Sequence, residues 1–326
     1  MERLLLIKVR RAISTFLSVA LICIYCCSCS SNSKSDDITS VQESSEITTE
    51  SSVTADRNYV SSRNLLECRH YNKNDFNQFT LNSECYDTKK LIRCGVVPHH
   101  LLAGNMIADF FKTASENNPD IETVVIVATM HDPENDKLCT TLSDWSAPNG
   151  ILKNDTDFSQ RFISKLGAAE NDDMLQTDHS AAGLIPFVKY YLPEASVSCL
   201  LVSGTAGNNA SDDISETLSG LSEEKNCLFV FSVDFSHYLN PEDTQLHDEE
   251  TLDAILNEDF DRITKMDNAN MDSPLCICTF LKLSNILNCD VANLDHSNSL
   301  KISRLPYTHS SFANGLTSYF IFAATE

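Results

Sequence analysis

The chain has 326 residues, and 24 Lys and Arg face 46 Asp and Glu for a formal charge of −22. So acidic a balance argues against phosphate backbones and anionic head groups as partners, and no nucleic-acid binding is expected. Apolar residues make up 42% of the chain, and its length suits one domain with a sizeable core.

The first segment has the form of an export signal. Arg3, Lys8, Arg10 and Arg11 make a basic start, and residues 12–27 are almost wholly apolar. Ser28-Cys29 and a polar run follow, as at a bacterial lipoprotein cleavage site, with Cys29 as the lipidated residue. An uncleaved signal anchor and modification at Cys26 or Cys27 are the alternatives. Residues 1–29 are therefore expected to form a lipoprotein-type signal peptide with its lipidated cysteine. Residues 30–60, rich in Ser, Thr and acidic side chains, hold too little apolar surface to offset their ordering entropy and are expected to be a tether. The protein would then be extracytoplasmic, attached to the bacterial membrane through the lipid.

Residues 61–326 are expected to form one α/β domain. Residues 95–99 form a predicted strand, and 101–114 a helix with Leu102, Met106, Ile107, Phe110 and Phe111 near one face. A second strand covers 121–128, and 132–157 reads as a long irregular segment. A helix over 158–168, an acidic loop and a helix over 180–191 lead to a strand at 197–202. Then come a helix (214–221), a strand (227–233), helices (241–256 and 273–287) and a closing strand (317–323). Short β-branched runs alternating with helical patterns imply a mostly parallel or mixed central sheet flanked by helices.

Three of those runs lead into histidines. Val96-Val97-Pro98 precedes His99, Val124 to Val127 lies just before His131, and Leu228 to Val233 precedes Asp234 and His237. Parallel strands end on one edge of a sheet, where open α/β folds build their sites. Converging imidazoles point to metal binding or proton transfer. Two imidazoles with a carboxylate suit Fe(II), whereas three imidazoles with an open position suit zinc. Asp234 is placed to ligate or to orient an imidazole. No G-x-S-x-G elbow accompanies Ser180 or Ser236, which disfavours a hydrolase triad. An open strand edge leaves imidazoles near their ordinary pKa of about 6.5, so metal affinity should weaken between about pH 7.5 and 5.5. His70, His247, His296 and His309 are expected at the surface or in loop contacts. Nine cysteines follow Cys29, none in a CxxC pair. Cys94, Cys199 and Cys227 border strands and should be buried thiols, and Cys68 and Cys85 are the expected pair if any disulfide forms.

Pro98-His99, the strand ending at His131, Asp178-His179-Ser180 with Pro186 beyond it, and Asp234-Phe235-Ser236-His237-Tyr238 together resemble the Memo-like proteins. Their bacterial members are called AmmeMemoRadiSam system protein B. The resemblance runs from about Gly95 to Ala323. It implies a fold like that of the class III extradiol ring-cleavage dioxygenases, with a metal-capable cleft. His99, His131 and His237 match the family's three cleft histidines, with Asp234 beside them as a further metal ligand. His179 matches the histidine of its Glu-His-Ser motif, with Asp178 in place of Glu. His179 and His237 are the expected catalytic proton carriers. The family's cleft cysteine has no clean match, although Cys276 and Cys278 lie in its region. Pro98-His99-His100-Leu101-Leu102 stands where the family has Pro-His-Ala-Gly-Tyr, Ala128-Thr129 replaces Gly-Pro, and Ala182 replaces a Glu. The implied cofactor is one divalent transition metal, Fe, Zn or Cu, and the implied activity that of a dioxygenase-like oxidoreductase. The rival reading is a non-catalytic module that binds a metal, small molecule or peptide in the cleft. A third is a redox-active thiol protein. The resemblance also links the chain to AMMECR-type and radical SAM proteins, which an exported copy would not meet in the cytoplasm.

Overall fold

The structure is a computed structural model that describes residues 65–132, 136–207 and 209–326. The expected signal peptide, Cys29 and the tether lie outside the described residues. The strands are β1 (Leu66–Glu67), β2 (Ile92–Val97), β3 (Thr123–Thr129), β4 (Leu138–Thr140), β5 (Trp145–Ala147), β6 (Gly150–Leu152), β7 (Ala169–Glu170), β8 (Ser196–Val202), β9 (Cys227–Ser232), β10 (His237–Leu239), β11 (Asp290–Asn298) and β12 (Leu316–Thr325). The main sheet runs β10-β12-β2-β9-β3-β8-β4-β7, with β11 also paired to β12. Its centre, β2-β9-β3-β8, is parallel. Antiparallel β12 borders it on one side and antiparallel β4 on the other. The sheet is therefore mixed, with a parallel core.

The parallel strands are apolar on both faces because both faces are covered. Side chains alternate along each strand. Val124, Ile126 and Ala128 of β3 join the cluster containing Phe110, Phe111 and Phe187. Val125 and Val127 join the opposite cluster, with Phe158, Phe162, Leu218 and Phe280. Helices Gly104–Asn117 and Ile185–Tyr191 supply the first layer, and Thr156–Leu166, Ala210–Ser222 and Pro274–Ile286 the second. Each fully buried large side chain contributes about 1.5–3 kcal/mol. Gly95 permits the close approach of the first layer, since a Cβ there would stand 2.2 Å from the Phe110 ring.

Several expectations are corrected. Residues 132–157 are not one irregular segment. β4 extends the main sheet, and β5 and β6 form a hairpin across Pro148-Asn149 that also pairs with β1. Three-residue strands are too short to show a period. The helix expected over 180–191 is two, His179–Ala182 and Ile185–Tyr191, the second carrying Pro186 in its first turn. β11 is missing from the sequence reading because Asp290, Asn293, Asp295 and His296 give it the composition of a loop. Cys68 and Cys85 are not paired; all nine described cysteines are free thiols. Cys94, Cys199 and Cys227 are fully buried. Among the described residues, no helix is long and apolar enough to cross a membrane.

Candidate metal centre

Strand register sets the level of the site. Val97 and Ala128 both pair with Ser232, so β2, β3 and β9 end in one row. His99, His131 and Asp234 follow two or three residues beyond that row. The strand ends open into a cleft of about 380 Å³ whose lining includes His99, His131, His179, Asp234, His237 and Asp272.

His99, His131 and His179 each offer a ring nitrogen, and these atoms lie within 4.8 Å of one another. The rings of His131 and His179 stack at 4.2 Å, and each lies 5.1 Å from His99. The sequence reading put His237 in this trio and gave His179 a proton-carrying role. The structure instead groups His179 with His99 and His131, while His237 lines the same cleft outside the group. The cause is tertiary. Helix His179–Ala182 is pinned over the ends of β3 and β9 by two hydroxyl bonds, Ser180 Oγ to the Thr129 carbonyl at 2.6 Å and Ser232 Oγ to the Ser180 carbonyl at 2.6 Å.

Those bonds also settle a tautomer. Ser232 has one hydroxyl hydrogen, and the Ser180 carbonyl can only accept it. Ser232 Oγ must therefore accept from His99 Nδ1, 3.1 Å away. Neutral His99 thus carries its proton on Nδ1 and presents the Nε2 lone pair. Asp178 orients His131: its Oδ2 accepts from the His131 backbone N–H at 2.8 Å, and its Oδ1 lies 3.0 Å from His131 Nδ1. Oδ1 also accepts from the Ser180 N–H, capping the helix that carries His179. Carboxylate–imidazole pairs of this kind hold metal-binding histidines in a fixed orientation.

Burial favours the neutral form of His99, His179 and His237. His99 is only 2% exposed, and burial pushes its pKa down to about 4 against the opposing pull of Asp234. The sequence expectation of an ordinary pKa at an open edge does not hold for His99, because helix His179–Ala182 and the Asp272 loop cover it. Burial and the neighbouring His131 also lower His179. Burial lowers His237, whose Nδ1 is enclosed without a hydrogen-bond partner. Burial would raise Asp178, but its bonds with His131 and Ser180 outweigh that and hold it well below the usual carboxylate range.

The remaining residues sort clearly. Asp234 Oδ1 accepts from the backbone N–H groups of His99 and His100, and Oδ2 lies 3.6 Å from His99 Nε2. His100 also lines the cleft, with its Nδ1 2.7 Å from the Tyr319 phenol oxygen. β10 reaches the cleft through a bulge at Tyr238, which takes φ 62°. Gly315 admits it, since a Cβ there would lie 2.4 Å from the Tyr238 carbonyl carbon. Ser236 is bonded to Asp248 and Ser180 to Thr129, so neither hydroxyl serves as a nucleophile. Cys276 and Cys278 do not line the cleft. His70, expected at the surface, lies 6.1 Å from the His179 ring. Asp272 carries no sequence motif; only its spatial neighbours mark it. The three clustered imidazoles could hold a metal ion.

Fold and site thus define a mixed α/β protein with a histidine-lined, metal-capable cleft at the carboxyl edge of its parallel strands. A family model described as Memo-like protein matches residues 68–316, and the chain belongs to the Memo-like family. A MEMO1 family protein of Methanopyrus kandleri is 25% identical over 182 residues, covering 54% of this chain and 61% of that protein. One from Pyrococcus horikoshii is 26% identical over 161 residues, covering 46% and 55%. The chain thus matches less than two thirds of the length of either relative. An uncharacterized protein from Escherichia coli K12 has a similar crystal structure at 12% identity and a TM-score of 0.45, covering 71% of this chain and 99% of that one.

Proposed function

We propose that this is an exported, lipid-anchored Memo-like protein that holds one divalent transition metal at His99, His131 and His179 and takes a small oxygen-rich ligand into the cleft. The observation that carries the reading is the approach of three imidazole nitrogens to within 4.8 Å. A bound ion of Fe or Zn would polarise an oxygen of that ligand, and Fe would add redox chemistry. The chain's own residues do the rest. Ser232 and Asp178 fix the orientation of two imidazoles. Asp234 clamps the backbone of His99 and His100. His237, with a free enclosed nitrogen, is the group placed to accept or return a ligand proton. Export rests on the basic start, the apolar run and Ser28-Cys29.

A non-catalytic binding module is the second reading, favoured by the engagement of His179 among the ligands, which leaves only His100, already bonded to Tyr319, and His237 among the cleft histidines for proton transfer. Aerobic turnover of catechol-type substrates by the Fe(II)-loaded protein, run beside metal titration, separates the two. Ring cleavage that is lost in His237→Ala marks an enzyme. Stoichiometric metal binding without turnover marks a binding module. No metal binding overturns the metal-centred reading and leaves only a module for a small molecule or peptide.

A further inference from the structure

We infer that Asp272 supplies a carboxylate ligand on the His99 side of the three-imidazole group, drawn in when a metal binds, so that the centre is a mixed nitrogen–oxygen site. This rests on the metal-binding reading above and deepens it.

Ser232 fixes the tautomer of His99. Its Nε2 lone pair faces Asp272 Oδ2 at 3.2 Å, closer than Asp234 Oδ2 at 3.6 Å. A lone pair and a carboxylate oxygen repel unless a proton or a metal ion lies between them. Among the described residues, no lysine or arginine forms an ion pair with either carboxylate; the one ion-pair partner of both is His99 itself. Two atoms bound to one tetrahedral ion at about 2.0–2.1 Å stand about 3.3 Å apart. The observed separation is that of two ligands on a shared ion and also that of a hydrogen bond, which the test below tells apart.

The two aspartates are not equivalent. Asp234 Oδ1 is held by two backbone N–H groups, so its job is to position the His99 strand end. Asp272 Oδ2 accepts one long bond from the Asp234 N–H at 3.3 Å, and its Oδ1 is buried without a partner. Its side chain is only 10% exposed, yet it lines the histidine cleft. A buried carboxylate oxygen without a donor costs several kcal/mol unless something binds it. Asp272 is followed by the N-cap Ser273 and Pro274 of a 13-residue helix, a rigid mount for a ligand. A hard oxygen beside three imidazoles selects Fe(II), Co(II), Mn(II) or Zn(II) over Cu(I).

The test is calorimetric titration of the purified full chain, freed of metal, with Co(II) and Zn(II), alongside optical spectra of the Co(II) form. Asp272→Asn keeps the shape and removes the ligand charge. It should weaken both ions by about 100-fold or more, beyond the 10–100-fold typical of an outer-shell partner. Its metal-free melting temperature should not fall, because a pair of adjoining buried carboxylates is broken; a merely structural aspartate would lower it. Asp272→Cys gives a direct reading, since a thiolate on Co(II) adds an intense near-ultraviolet charge-transfer band. Either variant suffices if the other fails to fold. Asp272→Asn with wild-type affinity, or Co(II)-loaded Asp272→Cys without the band, overturns the inference. If His131→Ala still loses the metal, the histidine site stands and Asp272 merely shares a proton with His99. A wild-type chain that binds neither ion overturns this inference together with the function it rests on.

Discussion

Ser232→Ala probes the tautomer on which the metal centre depends. The substitution removes one hydroxyl that accepts from His99 Nδ1 at 3.1 Å and donates to the Ser180 carbonyl at 2.6 Å. Leaving a buried polar group without its partner costs about 1–3 kcal/mol. His99 has a way to avoid that cost. Its proton can move to Nε2, where Asp272 Oδ2 lies 3.2 Å away as an acceptor. The folded state should then lose about 1 kcal/mol, mainly at the Ser180 carbonyl, which lowers the urea midpoint by about 0.5 M. Metal binding suffers more. The ion requires the Nε2 lone pair, so binding must return the proton to an Nδ1 that no longer has an acceptor. That penalty of about 1–3 kcal/mol weakens binding by about 5- to 150-fold. Zinc calorimetry and urea unfolding measure the two effects, and nitrogen-15 spectra of labelled imidazole show which nitrogen is protonated. A wild-type His99 protonated on Nε2, or a variant with full affinity, would refute the reasoning.

The other predictions are shorter. His131→Ala and His179→Ala should each abolish tight zinc binding in calorimetry, while His247→Ala, which pairs with Glu250 away from the cleft, should leave it unchanged. Protons compete with metal only for imidazoles that titrate. With His99 at about 4 and His179 below its ordinary value, protons compete less at these two ligands, so affinity should fall less steeply from about pH 7.5 to 5.5 than three ordinary histidines would give. A titration series across that range in which affinity already drops tenfold by pH 6.5 would contradict these depressed values. Cys94, Cys199 and Cys276 are fully buried, with thiols pushed up by burial, so mass-mapped alkylation should leave them unlabelled in the native protein and label them in denaturant. Rapid native labelling at these three would instead favour redox-active thiols. Cys29→Ser should release the protein from membranes or block its processing; unchanged membrane fractionation would place the anchor elsewhere.

Burial is written locally in this chain, and so the core was legible. Val124 to Val127 and Leu228 to Phe231 are β-branched, aliphatic or aromatic at every position, which only a strand covered on both faces requires. Histidines just past such runs were bound to fall at one sheet edge, and His99, His131, Asp234 and His237 do line one cleft. Which side chains meet within it was not legible. His179 stands at the start of a four-residue helix, and its place beside His131 depends on hydroxyl bonds reaching 51 and 52 residues along the chain. Asp272 lies 38 residues beyond Asp234 and meets His99 only because the following helix packs against β2, β3 and β9. Strand period and apolar content therefore determined the layers and the edge that carries the site. Which side chains cluster at that edge was decided by tertiary contacts, because convergence of side chains depends on register and loop path, which leave no periodic mark in the sequence.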